Sequence, residues 1–140
     1  MNAEPEDHAR IWFSYALGNL AAARNFLDAH TRSRIVAFWA NRAAKDALTA
    51  ALVLAEIDPP GTDDLEGLRA TLPSSWRAGH AQASVTRLSR FASAIAYPGP
   101  GPAVTAKEAV AAVRDASAVL ALIRQGFERR GMSTEGLEPR

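Results

Sequence analysis

The side chains able to do acid–base or metal chemistry are sparse. His8, His30 and His80 lie far apart and share no helix face, and the 140-residue sequence holds no cysteine. Disulfides, thiolate nucleophiles and Cys-ligated zinc are thereby excluded. The sequence also lacks His-Glu-x-x-His, EF-hand, Walker and Gly-x-Ser-x-Gly patterns. Metal catalysis needs clustered ligands and nucleophilic catalysis needs a base beside a Ser or Thr, and the spacing provides neither. Two Arg/His groupings remain. Arg77, His80, Ser84 and Arg87 recur at three- and four-residue steps, with Arg90 beside them. Such a stripe can track phosphates, and an ordinary solvated helix face accounts for it as well. Arg24 and His30 are separated by six steps of roughly 100°, so on one continuous helix they point about 120° apart. They could meet only where the helix ends between them, and Asp28 also offers Arg24 an ordinary surface ion pair.

The elements that must carry these residues are helices. Apolar residues recur near every 3.6 positions, without strand-like alternation. A first helix is expected over about 7–29, with Trp12, Ala16, Leu20, Ala23 and Leu27 inward and Phe13 and Tyr15 widening the stripe. A second, over about 33–57, carries Val36, Trp39, Ala43, Ala47, Ala50, Leu54 and Ile57, and is apolar over most of its circumference. Its one polar stripe is Asn41, Arg42, Lys45, Asp46 and Thr49, the pattern of a central helix packed on several neighbours. Asp58-Pro59-Pro60-Gly61 ends it, and a short helical turn follows over 64–70. A third long helix is expected over about 76–97, with Trp76, Ala83, Leu88, Phe91, Ala92 and Ile95 inward, then a stiff connector, Pro98-Gly99-Pro100-Gly101-Pro102. Thr105-x-x-Glu108 is a capping box opening a last helix to about 130, with Val110, Val113, Ser117, Leu120, Ile123 and Phe127 inward. The polar tail over 131–140 is expected to be mobile. The fold class is therefore all-α: one domain over 1–140, an antiparallel four-helix bundle with an extra short helical turn and a core over about 7–130.

Composition agrees with a compact domain. Hydrophobic residues make up 48% and about one residue in five is alanine. Net charge is +1, so no global field advertises nucleic acid or membrane. Of the 16 basic residues only Lys45 and Lys107 are lysines, an arginine bias that, like the alanine excess, fits a GC-rich coding sequence. No apolar run approaches the ~20 residues of a membrane span, and the acidic N-terminus lacks the basic start of a signal peptide. A cytoplasmic location is the expectation.

From Trp12 to Leu122 the order of features resembles the HEPN family of small helical bundles. Trp12, Ala16, Asn19 and Leu20 follow the family's first helix, with Asn19 where an acid is usual. Arg42-Ala43-Ala44-Lys45-Asp46-Ala47-Leu48-Thr49-Ala50 matches its Gln-Ala-x-Glu-Lys-x-Leu-Lys-Ala at the small and apolar positions and departs from it at every polar one. Asp63-Asp64-Leu65, with Asp63 where a His is usual, Ala96-Tyr97-Pro98, with Ala96 where an Arg is usual, and the helix from Thr105 through Asp115-Ala116 complete the likeness. Family members divide into RNases with an Arg-x(4 to 6)-His motif late in the bundle and binding partners of minimal nucleotidyltransferases. The motif is missing from that place here, since Arg77 and His80 are three apart.

The resemblance therefore implies a bundle whose usual polar site has been rewritten. It implies a homodimeric binding module that partners a minimal nucleotidyltransferase in a toxin–antitoxin-type pair, with no catalytic residue, metal or cofactor assigned. Arg42, Lys45, Asp46 and Thr49 would form the pocket wall, with Arg90 and Tyr97 close by. Arg42 and Lys45 could meet the phosphate oxygens of a nucleotide; alternatively Lys45 and Asp46 only pair with neighbours over a groove. Two rival functions stay open. One is a metal-independent RNase acting on RNA through Arg24 with His30, or Arg87 with His80, His serving as acid or base and Arg stabilising the charged phosphorane-like state. The other is a dimerising scaffold anchored by Trp76, if that ring is exposed.

Overall fold

The computed structural model describes residues 3–76, 79–91 and 103–140. Arg77, Tyr97, the 98–102 connector and the side chain of His80 lie outside the described residues. Among the described residues five helices follow in order: α1 (Ala3–Asp28), α2 (Ser33–Leu54), α3 (Leu65–Thr71), α4 (Gly79–Ser89) and α5 (Ala106–Arg129), with a 3-10 turn at Ser74–Trp76 before α4. All described regular structure is helical, as the periodicity predicts.

Helix α2 touches each of the other four. Val36, Ala37, Ala40, Ala43, Ala44, Ala47, Leu48, Ala50, Ala51 and Leu52 are all buried along it. That is why its sequence is apolar nearly all round: a helix with neighbours on most sides has few positions left to solvate. Alanine-lined faces let backbones pack near the short end of the interaxial range. Ala9, Ala16 and Ala23 do this on α1, and Ala109, Ala112 and Ala116 on α5.

The helix ends have local causes. Thr105 Oγ1 accepts from the Glu108 amide at 3.1 Å while Glu108 Oε1 accepts from the Thr105 amide at 3.0 Å, the reciprocal capping box expected from sequence. Asp64 caps α3 by accepting from the Glu66 amide. Helices α1 and α2 close through non-glycine residues of positive φ, His30 at 55° and Glu56 at 59°. The Thr31 amide then reaches the Phe26 carbonyl and the Ile57 amide the Leu52 carbonyl. Helix α2 thus stops at Leu54, short of the expected Ile57.

Four expectations are corrected. Phe13, not Trp12, is the core aromatic of α1: Phe13 is fully buried and stacks edge-to-face on Phe127 at 5.4 Å, whereas Trp12 is 37% and Tyr15 45% exposed. Adjacent residues on a helix diverge by ~100°, so only one of Trp12 and Phe13 can enter the core. Ala83 and Val110, expected inward, are exposed, and Ser84, Val85 and Ala109 take the buried positions beside them. Trp76 lies in the 3-10 turn rather than on the long helix and is 5% exposed, packed on Phe127 at 5.6 Å beneath the Arg130 guanidinium at 3.7 Å. It is therefore no exposed interface anchor. The polar tail returns to the bundle: Met132 is buried, the Thr134 hydroxyl donates to Glu128, and the Arg140 amide donates to the Ser14 carbonyl at 3.0 Å. Composition alone misses this because one methionine, one threonine hydroxyl and backbone hydrogen bonds hold the segment down.

Candidate functional site

Four residues of the α2 polar stripe face the edge where α1 and the α2–α3 loop converge, while Asn41 turns to α4 and its Nδ2 donates to the Leu88 carbonyl at 3.2 Å. Arg42, Lys45, Asp46 and Thr49 line one cavity of ≈ 380 Å³, together with Trp12, Leu68 and the loop residues Pro59 to Asp63. A second cavity of ≈ 470 Å³ shares Trp12, Arg42 and Asp46 and is completed by Tyr15 and Asn19 of α1 and Phe38 and Trp39 of α2. The two share a wall and form one groove, aromatic at one end and lined at the other by the paired charges Arg42, Asp46, Lys45 and Asp63.

Asp46 lies where they join, and its carboxylate is nearly inaccessible, with 4% of the side chain exposed. Asn19 Nδ2 donates to Oδ2 at 2.7 Å across the α1–α2 contact. Oδ1 has no hydrogen-bond partner, and Arg42 Nε stands 3.7 Å from it, within ion-pair range but beyond hydrogen-bonding distance. Burial pushes the Asp46 carboxyl above the usual carboxylate range, against the opposing charges of Arg42 and Lys45 and the Asn19 bond. Asn19 and Asp46 are both positions at which the chain departs from the HEPN pattern, and the fold places them in contact.

Lys45 reaches the loop instead. Its ammonium pairs with Asp63, whose carboxyl is held below its usual range by that hydrogen bond and then by the charge. Asp63 is 83% exposed, so this tie is a weak surface clasp, open to competition from another anion. The Thr49 hydroxyl donates to the Lys45 carbonyl at 2.8 Å, so this hydroxyl is engaged within its own helix.

Arg90 is not brought to the groove. It is exposed in the turn after α4, and its charge acts on Glu108 at the start of α5. Tyr97 lies outside the described residues. Sequence reasoning also misses members of the site: it assigns Tyr15 and Trp39 to the core and does not single out Phe38 and Asp63 as site residues. The available signal is crowding. Ile11-Trp12-Phe13 on α1 and Phe38-Trp39 on α2 put more large apolar residues in a row than one inward stripe can absorb.

The nuclease candidates are placed differently. Arg87 makes a bidentate pair with the buried Asp115 of α5, Nε to Oδ2 at 2.9 Å and Nη2 to Oδ1 at 2.8 Å, so it braces α4 on α5. Arg24 donates to Ser117 Oγ at 3.1 Å, while His30 is exposed in the left-handed turn closing α1. Among the described residues no cluster of His, Asp and Glu could hold a metal ion. No described helix is long and apolar enough to cross a membrane.

No curated protein matches this sequence. Among solved structures, TT1696 from Thermus thermophilus superposes with a TM-score of 0.70 at 24% identity, covering 89% of this chain and 98% of that one. At that identity the likeness concerns the fold alone. The HEPN domain model matches residues 9–126, from the first turns of α1 nearly to the end of α5. The chain belongs to the HEPN domain family.

Proposed function

We propose that this chain is a homodimeric HEPN-type binding module that partners a minimal nucleotidyltransferase in a toxin–antitoxin-type pair and takes up a nucleotide in the α1–α2 groove. The observation that carries the reading is the surface around that groove. Ile11, Trp12, Tyr15, Ile35 and Phe38 are all more than a third exposed, with Trp12 and Tyr15 in edge contact at 6.4 Å and Phe38 and Trp39 at 5.2 Å. Clustered exposed aromatics are what a partner-binding face presents. Arg42 and Lys45 stand beside them, two cations able to meet phosphate oxygens once Lys45 exchanges Asp63 for the ligand.

The test is to co-express the chain with a minimal nucleotidyltransferase from the same genome and weigh the products by native mass spectrometry. A complex containing both chains is expected, lost in Tyr15→Arg and Phe38→Asp, which alter exposed positions and leave the bundle folded by circular dichroism. A wild-type chain that never joins the enzyme, or a complex indifferent to both substitutions, would overturn the partner reading.

A further inference from the structure

We propose that the groove recognises a flat heterocycle presenting adjacent N–H donors, guanine among the nucleobases, with Asp46 reading that edge and the aromatic residues of α1 and α2 holding the ring. This rests on the nucleotide part of the reading above and adds the ligand class.

The starting point is the unpaired oxygen. An ionised carboxylate only accepts hydrogen bonds. Oδ1 of Asp46 is buried and accepts none, while Oδ2 takes one bond from Asn19 and keeps a lone pair. A buried acceptor left open costs free energy, and the complement that relieves it is an N–H or O–H donor from outside the chain. Arg42 stands beside Oδ1 with a side chain 48% exposed, so it can turn toward a phosphate and open the path to Asp46.

The walls specify the rest of the ligand. Trp12 and Tyr15 on α1 and Phe38 and Trp39 on α2 line the cavity that contains Asp46. Aromatic side chains bind the π-face of any base, which supplies affinity without choosing among bases. The choice falls to the carboxylate. Guanine carries N1–H and the 2-amino group side by side, a match for two acceptor sites. Adenine turns a lone pair at N1 toward the same position, and xanthine has a carbonyl where guanine has the amine. The cavity of ≈ 470 Å³ lies within the roughly 300–1,000 Å³ usual for small-molecule sites. The neighbouring cavity, reached past Trp12 and Arg42, holds Lys45 for the phosphate. One nucleotide can thus place its base and its phosphate in the two halves of the groove.

The experiment titrates the full chain with GMP, IMP, AMP and XMP by isothermal calorimetry at one ionic strength. IMP lacks only the 2-amino group, so it should bind at least about tenfold more weakly than GMP, the loss expected for a hydrogen bond to a charged acceptor. AMP and XMP should be weaker still. Asp46→Asn is isosteric, and it should abolish the GMP preference and raise XMP above GMP, because the asparagine amide donates where the carboxylate accepted. The wild-type comparison of GMP with IMP needs no variant, so it stands even if Asp46→Asn fails to fold. GMP, IMP and AMP binding alike would overturn the base-reading proposal while leaving nucleotide binding intact. Binding of none of the four would overturn both.

Discussion

Gly126 is the position where the packing makes an ordinary rule reverse. In the interior of a helix, Gly→Ala normally stabilises by about 1 kcal/mol through reduced backbone entropy. In α5, a methyl group at residue 126 would lie 2.6 Å from Cε3 and 3.2 Å from Cη2 of Trp76, and closer still to Cζ3. The indole has little room to withdraw. It is wedged edge-on against Phe127 and covered by Arg130, whose guanidinium also donates to the Gly126 carbonyl at 2.9 Å and to Ser75 Oγ at 2.7 Å. Overpacking of this kind costs about 1–3 kcal/mol. Displacing the ring also forfeits the edge contact with Phe127, at about 0.5–1.5 kcal/mol. Set against the propensity gain, Gly126→Ala should lose on the order of 1–3 kcal/mol. Urea denaturation followed by circular dichroism measures it. The same substitution in a Trp76→Leu background should become stabilising by about 1 kcal/mol, since the obstacle is gone and only the propensity remains. A stabilised Gly126→Ala in the wild type, or the same effect in both backgrounds, would refute this account of how the turn before α4 seats on α5.

Other predictions reach other parts of the molecule. Asp46→Asn should raise stability at neutral pH by about 1 kcal/mol, since it removes a desolvated charge while the amide oxygen that replaces Oδ2 can still accept from Asn19. A folded-state pKa raised above its unfolded value makes the Asp46 contribution most favourable below the unfolded pKa and lost as pH rises through the folded one. The advantage of the Asp46→Asn variant over the wild type in thermal melts should therefore shrink on acidification, and an advantage constant from about pH 7 to about pH 3 would contradict the reasoning. Thr105→Ala removes half of the capping box and should cost about 1 kcal/mol in the same melts. Gly18→Ala places a methyl group on the Arg140 carbonyl, so the Arg140 amide should lose its protection from hydrogen exchange while the amides of α2 keep theirs.

The extent to which this molecule can be read from its sequence follows from the range of each signal. Local signals succeed. The near-complete apolar circumference of α2 and the Thr105/Glu108 box each lie within a few residues, and the structure contains both; Pro59 and Pro60 lie in the loop beyond α2, which has already closed at Glu56. The HEPN resemblance is equally accessible because it depends on the order of such local features. What fails is any choice between adjacent residues. Periodicity cannot say which of Trp12 and Phe13 enters the core, because the answer depends on where α5 places Phe127. The same ambiguity conceals the aromatic end of the groove. The polar stripe of α2 is visible as a stripe, yet its meaning lies in pairings across the bundle. Asn19 meets Asp46 from 27 positions away and Arg87 meets Asp115 from 28, and both depend on interhelix register. Arg90 shows the converse, a cation near the stripe in expectation whose charge acts on Glu108 instead.

The proposed binding role accounts for features of the groove that do not favour stability. A carboxylate is buried with one oxygen unpaired, a lysine is clasped by an exposed aspartate, and several aromatic rings stand in solvent. The unpaired oxygen and the exposed rings are local losses that a ligand or partner would recover, whereas the lysine would trade one anion for another, and functional sites are where such losses persist. The most direct test is to record the three tryptophan indole N–H resonances during a GMP titration of the full chain. Trp12 and Trp39 line the groove and Trp76 is packed beneath Arg130 outside it, so each protein carries its own control. The Trp12 and Trp39 resonances should shift together and saturate while that of Trp76 stays still. Movement of Trp76 with Trp12 and Trp39 unchanged, or no movement at any concentration, would contradict it.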